Sequence, residues 1–282
     1  MKIIVGIDVG GSTTKIVGFD ITDGVSKLLR PVTVKANDPV ASVYGAFGKF
    51  ISENGVDIKQ IKRVMITGVG STYIGDNIFG VPTVHVDEFT AIGRGGLYLS
   101  GLNEAVIVSM GTGTALVYAK TGVNPEYLGG TGVGGGTLIG LSKKTLHVEN
   151  IEQIETLAAD GNLDNIDLTI SDITKKNIIP TLSSEATAAN FGKVSDIATQ
   201  GDVALGIINL VLETIGMMGV FTARSKRISD IVLIGNLSNL SQCEQKFAAM
   251  SAMFGVRFVV PDMSQYGTVI GTALMHFDRP EI

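Results

Sequence analysis

Two rhythms of apolar and polar positions alternate along the chain. Ile3 to Ile7 and Thr14 to Phe19 are β-rich runs joined by a short Gly/Ser/Thr loop, a pattern that predicts a hairpin. Val43, Phe47 and Phe50 then recur at helical spacing, which predicts a helix over about Val40 to Glu53. Strands are expected at "IKRVMITG" (61–68) and "VPTVHV" (81–86), and a helix over 88–99 despite its glycines. Ala105 to Val108 and Ala115 to Ala119 then repeat the opening design: strand, small-residue turn, strand. Further helices are predicted at 135–146, 151–160, 187–199, 203–225, 239–254 and 267–276, with strands at 230–235 and 256–260. Strands and helices alternate, so the class is α/β.

The repeated hairpin suggests two related sub-domains, 1–103 and 104–282, each presenting its turn to one cleft. The segment 203–225 is almost wholly apolar and reads as a buried central helix of the second unit.

With 45% hydrophobic and 17% charged residues the chain has material for a substantial core and is not disordered. The net charge of -5 gives no electrostatic case for nucleic acid or an anionic membrane as partner. Cys243, the single cysteine, excludes an internal disulfide and any zinc or iron–sulfur site built from thiolates of one chain. The expected setting is the cytoplasm, because the opening apolar run is too short for a signal peptide. His85, His147 and His276 are scattered, with no pair at metal-ligand spacing.

The 36 glycines gather in turns. In "GIDVGGST" (6–13), Asp8 ends a strand beside Gly10, Gly11, Ser12 and Thr13. Such an Asp can hold a hydrated magnesium while backbone N–H groups face phosphate, with Lys15 adding a compact positive charge. An ordinary hairpin with Asp8 capping turn amides fits the same letters. "SMGTGT" (109–114) offers the hydroxyls of Ser109 and Thr112, with Gly111 and Gly113 letting the backbone close on a ligand. In "GGTGVGGGT" (129–137), Gly130, Gly132 and Gly135 match G-x-G-x-x-G, yet no parallel strand follows at Rossmann spacing and no Walker motif occurs. What remains is a glycine loop leading to a helix N-terminus near Thr137, with N–H groups facing an anion. In "VDEF" (86–89), Asp87 is a natural helix cap, and Glu88 is either a general base or a first-turn acid complementing the helix dipole.

Together these motifs resemble the type II pantothenate kinases of the acetate kinase/sugar kinase/Hsc70/actin superfamily. "AADGNLDNIDL", "EATAANFGK", "IVLIGN" and "YGTVIGTALM" extend the resemblance through nearly the whole chain. It implies an actin-like ATPase (ribonuclease H-like) fold, two related sub-domains with a nucleotide cleft between them. It implies transfer of the ATP γ-phosphate to the terminal hydroxyl of pantothenate, the first step of coenzyme A synthesis, with ATP and Mg2+ as cofactors. Carried onto this chain, it assigns Glu88 as general base and Asp8 to the magnesium, through water, with Lys15 on phosphate. Ser109, Gly111, Thr112 and Gly113 become the second phosphate turn. Gly130, Thr131, Gly132, Gly134, Gly135, Gly136 and Thr137 line the nucleotide. It also implies a homodimer through 203–225 and a possible coenzyme A thioester regulator.

One position departs from the family. Relatives commonly carry an arginine two residues before the Gly-Gly, and this chain has Tyr127, which cannot give a guanidinium's bidentate charged contacts. Arg94, six residues past Glu88, is the expected substitute on the substrate side. Three other readings stay open: a sugar or other pantothenate-like kinase, a dehydratase-activator ATPase with a cysteine-held cluster bridging a dimer, and a nucleotide- or acyl-CoA-binding regulator with weak catalysis.

Overall fold

The computed structural model describes residues 1–22, 26–35, 38–174 and 183–277. Two sheets carry the described fold. In the first half lie β1 (Ile3–Val9), β2 (Thr13–Asp20), β3 (Lys27–Leu28), β4 (Val32–Lys35), β5 (Ile61–Thr67), β6 (Asn77–Ile78) and β7 (Val81–His85), with α1 (Pro39–Asn54) and α2 (Glu88–Ser100). The second half adds β8 (Glu104–Met110), β9 (Thr114–Lys120), β10 (Glu126–Thr131), α3 (Gly135–Leu146), α4 (Ile151–Ala158), β11 (Leu168–Thr169) and α5 (Ile170–Ile173). It closes with β12 (Thr187–Ala189), α6 (Gln200–Lys226), β13 (Asp230–Ile234), α7 (Gln242–Phe254), β14 (Arg257–Val259) and α8 (Gly267–Leu274).

The halves share a plan. The first sheet runs β3-β2-β1-β5-β7-β6, with β4 also on β2; the second runs β10-β9-β8-β13-β14. In each, an antiparallel hairpin (β1–β2, β8–β9) is followed by a crossover to a parallel strand (β5, β13) laid beside the hairpin's first member. Gly68 after β5 and Gly235 after β13 take positive φ, +91 and +97. A Cβ at Gly68 would stand 2.5 Å from the Val9 carbonyl oxygen, and at Gly235 2.6 Å from that of Met110. Both positions therefore require glycine for conformation and for space. A short 3-10 helix follows each, Val69–Tyr73 and Asn236–Asn239.

Local chemistry explains the flanking helices. Asp38 caps α1 by accepting from the Ala41 N–H, Pro39 suits its first turn, and Gly55 at φ +62 ends it. Val43, Phe47 and Phe50 on its inner face join Ile3, Val5 and Ile7 in one core. A cut between residues 103 and 104 separates the two sheets, but two helices pack across it. Ile92 of α2 packs with Ile107, Val117 and Val232 of the second sheet, while Val269 and Ala273 of α8 pack with Val17 and Phe19 of the first. Where α2 meets α8 the backbones touch. A Cβ at Gly95 would lie 1.8 Å from the Gly267 carbonyl oxygen, and one at Gly271 1.9 Å from that of Ala91. The glycines that weaken α2 as a helix are what allow this crossing.

Among the described helices, α6 is the one long and apolar enough to cross a membrane; 61% of its apolar window is buried within the protein. Ile207, Ile208, Val211, Leu212 and Ile215 place it in the core of the second half.

The helix expected at 187–199 does not form. Thr187–Ala189 is a strand paired with β11, and Phe191 takes φ +56. Asp167 draws this segment away from helical geometry: its carboxylate accepts from the Phe191 N–H at 2.8 Å and from Asn209 at 2.7 Å. These partners are distant in sequence, so local periodicity carries no trace of them.

Candidate functional site

The two hairpin turns open into one cleft of about 620 Å³ between the sheets. In the first turn Asp8 stands opposite Lys15 across β1–β2, and the Gly10 N–H closes the loop on the Thr13 carbonyl at 3.0 Å. In the second, Ser109 stands opposite Ala115, and the Gly111 N–H closes on the Gly113 carbonyl at 2.9 Å. The turns face one another closely: a Cβ on Gly11 would lie 3.5 Å from the Thr112 hydroxyl. Asn236 adds a link between the halves, donating from Nδ2 to the Thr13 hydroxyl at 3.4 Å.

The cleft gathers Asp8, Gly10 to Thr13, Lys15, Glu88, Ser109, Gly111 to Gly113, Tyr127 and Gly130 to Gly132. Gly134, Gly135, Gly136 and Thr137 do not line it, which corrects the expected anion-facing helix start. The Gly135 N–H donates to the Gly111 carbonyl (2.9 Å) and the Gly136 N–H to that of Thr112 (2.8 Å). Gly134 donates to the Thr137 hydroxyl, which donates to the Gly132 carbonyl. These groups brace the second turn from behind. The first part of the expected loop is in fact the edge strand β10, drawn onto β9 where a Cβ on Gly130 would come 2.4 Å from the Thr114 carbonyl oxygen.

Arg94 also stands away from the cleft lining. Six residues along a helix is about 240° of rotation, so a side chain there leaves the face that carries Glu88, whereas Ile92, at four residues, stays on it. Tyr127 does line the cleft, its ring stacked on Phe89 with centroids 3.9 Å apart and planes at 19°. Arg224 and Lys226 are engaged elsewhere, on the Phe254 carbonyl and on Glu126.

Electrostatics distinguish the charged groups. Asp87 caps α2 by accepting from the Thr90 N–H at 2.7 Å. Glu88 beside it is pushed up to about 7, first by burial, then by the negative charges of Asp8 and Asp87. A carboxylate poised near neutrality in a cleft is suited to accept a proton. Burial also pushes Asp8 up, against the pull of Lys15, and pushes Lys15 down, against that of Asp8. The Lys15 ammonium donates to the Gln265 carbonyl at 2.5 Å.

Two glycine turns with exposed backbone suit a polyphosphate. The donor set near Asp8 suits magnesium in particular. Among the described residues no three His, Cys, Asp or Glu side chains gather to cage a metal, and magnesium takes one or two carboxylates beside phosphates and water. Cys243 lies buried in α7, with its thiol on the Leu237 carbonyl and pushed up to about 12 by burial. It is not placed to supply a thiolate to a cluster between subunits.

Sequence reasoning passed over Gly68, Gly235, Asn236 and Thr268; the last three line the cleft. The signal was present: "ITG" and "LIG" end equivalent strands in the two halves.

The Fumble family model matches residues 103–255, more than half of the chain. The chain belongs to the Fumble family. The resemblance drawn from the motifs extends well beyond the matched region: a type II pantothenate kinase of Bacillus cereus is 29% identical over 254 residues, covering 84% of each protein. Among solved structures, the activator of the 2-hydroxyisocaproyl-CoA dehydratase from Clostridium difficile with bound ADPNP superposes with a TM-score of 0.66 at 17% identity, over 98% of this chain and 94% of that one. A ROK family glucokinase from Streptomyces griseus in complex with glucose and AMPPNP gives 0.59 at 14% identity, over 97% and 98%. The fold of this Fumble-family protein is therefore the actin-like ATPase fold.

Proposed function

We propose that this protein is an ATP-dependent kinase that phosphorylates the terminal hydroxyl of pantothenate or a closely related small alcohol. The convergence of both hairpin turns and Glu88 on one cleft carries the reading. The likeness to type II pantothenate kinases supports the acceptor class.

In this mechanism the N–H groups at 11–13 and 112–113 donate to phosphate oxygens, Gly10 and Gly111 closing their own turns, and Lys15 adds positive charge beside them. Asp8 would hold a magnesium ion through water. The metal supplies neutralisation of phosphate oxygen charge when bound. Glu88 takes the acceptor's hydroxyl proton as that oxygen bonds to the γ-phosphorus, while the bond to the β,γ-bridging oxygen breaks and ADP leaves. Phosphoryl transfer needs alignment and charge neutralisation more than covalent chemistry, and a cleft of bare backbone with one carboxylate opposite provides them. A homodimer through α6, control by a coenzyme A thioester and a cytoplasmic setting complete the reading.

The test is incubation with ATP, magnesium and pantothenate, with detection of the products by mass. A product heavier by one phosphoryl group, formed in step with ADP, supports the proposal. Nucleotide binding without a phosphorylated product favours a regulator instead.

A further inference from the structure

Asp8 and Glu88 reach the cleft from different elements, β1 and the start of α2, so their register depends on what joins those elements. Asp8 pairs with Lys15 on β2 and with Thr67 on β5. Residues paired across neighbouring strands share a face of the sheet, so Lys15, Asp8 and Thr67 form one row. Beside Thr67 runs the linker from β7 to α2, which consists of Val86 and Asp87 alone. Both linker residues are pinned. The Val86 N–H donates to the Ile66 carbonyl at 2.9 Å. A regular parallel ladder would next bring the Gly68 N–H to the Val86 carbonyl. Gly68 instead turns at φ +91, so close under β1 that a Cβ there would stand 2.8 Å from an Asp8 carboxylate oxygen. In its place the Thr67 hydroxyl donates to the Val86 carbonyl at 3.0 Å. Asp87 is held in turn by the Thr90 N–H and hydroxyl, both at 2.7 Å. Glu88 follows directly, near enough to Asp8 for that negative charge to push its pKa up.

Thr67 is 1% exposed and stands outside the cleft lining, so any effect it has on chemistry passes through the linker. A buried hydroxyl needs a partner, and many carbonyls would serve that purpose alone. This one belongs to the residue two places before Glu88, and it fixes the height at which α2 begins. A valine of the same shape would leave the Val86 carbonyl without that donor and free the linker to shift, and small displacements of a reacting group are costly in rate. We propose that Thr67 is a positioning residue: by tying the end of β5 to the Val86 carbonyl, it holds the Glu88 carboxylate in register with Asp8 across the cleft. This inference rests on the kinase reading of the same cleft.

The experiment measures steady-state phosphorylation of pantothenate by ATP with magnesium in the wild type, Thr67→Val and Thr67→Ser, with melting curves and nucleotide titrations of each. Thr67→Val should lower kcat about ten- to a hundredfold while ATP affinity stays within about threefold, because the main-chain donors of both turns are untouched. Thr67→Ser keeps the donor and should hold kcat within about threefold of wild type. In a Glu88→Gln background Thr67→Val should cost less than about twofold more, since it acts through that carboxylate. Thr67→Ala, which also lacks the hydroxyl, is read in the same way if the valine variant fails to fold. Wild-type kcat in a folded variant lacking the hydroxyl, an equal loss in Thr67→Ser, a loss carried by ATP affinity alone, or a full further loss on top of Glu88→Gln overturns the inference and leaves the kinase reading standing. A wild-type protein that forms no phosphorylated product overturns the kinase reading and this inference with it.

Discussion

The two halves of the molecule are one design executed with different chemistry. Each has a hairpin, a parallel neighbour strand and a positive-φ glycine tucked under the end of the hairpin's first strand. The pair flanking the turn in the first half is Asp8 and Lys15; in the second it is Ser109 and Ala115. The first half carries charge. The second carries backbone and hydroxyls, and its turn is braced by the N–H groups of Gly135 and Gly136. On the proposed kinase reading, the shared scaffold offers a turn to phosphate from each half, and the divergence would leave metal and charge handling to one side and neutral hydrogen bonding to the other. Glu88, at the start of a helix that leaves the first half to pack on the second sheet, stands where the two meet.

Substitutions can test this division. The largest effect is expected at the base: Glu88→Gln should lower kcat by ~10²–10⁴-fold while ATP affinity stays within a few-fold, checked by steady-state kinetics and nucleotide titration. The same variant should melt a few degrees higher at pH 8. The folded-state value near 7 lies above the usual 4.5, so the folded protein holds more protons between those values. The stability linked to Glu88 therefore declines as pH rises through that window and is lost above it, and glutamine removes the penalty.

Next comes Asp8→Asn, with a loss of about a hundredfold in kcat and a raised magnesium requirement, read from metal titrations of activity. The acid limb of the pH–rate profile follows, with rate falling up to about tenfold per pH unit below neutrality as Glu88 takes up a proton. A magnesium ion bound near Asp8 would offset the second cause of the Glu88 shift, so with metal present the limb is expected at or somewhat below pH 7. The smallest effect belongs to Ser109→Ala at the position matching Asp8, about two- to tenfold in KM for ATP, the value of one neutral hydrogen bond. Equal losses at Asp8 and Ser109 would erase the proposed division.

Much of this was legible in the sequence because it is written locally. Period-two runs around Gly/Ser/Thr turns gave both hairpins, and the Asp87 cap with Val43, Phe47 and Phe50 gave α2 and α1. What local pattern could not carry was set by distant partners. Phe191 and Asn190 are held by Asp167, so the stretch expected as a helix became a strand and turns. Gly130 approaches the Thr114 backbone, so the first third of a presumed loop became part of β10. The Gly135 and Gly136 N–H groups look free for an anion in the sequence but are used by the neighbouring turn. Arg94 was offset by helix rotation alone, and the exchange of α2 and α8 between the sheets depends on glycines that count against a helix when read singly.

A crystal structure with magnesium and a non-hydrolysable ATP analogue tests the division most directly. The account predicts β- and γ-phosphate oxygens within hydrogen-bonding distance of main-chain nitrogens in both 11–13 and 112–113, with the metal's water shell on Asp8 and the Glu88 carboxylate facing the γ-phosphate. A triphosphate held by one turn alone, or metal on the Ser109 side, would contradict it.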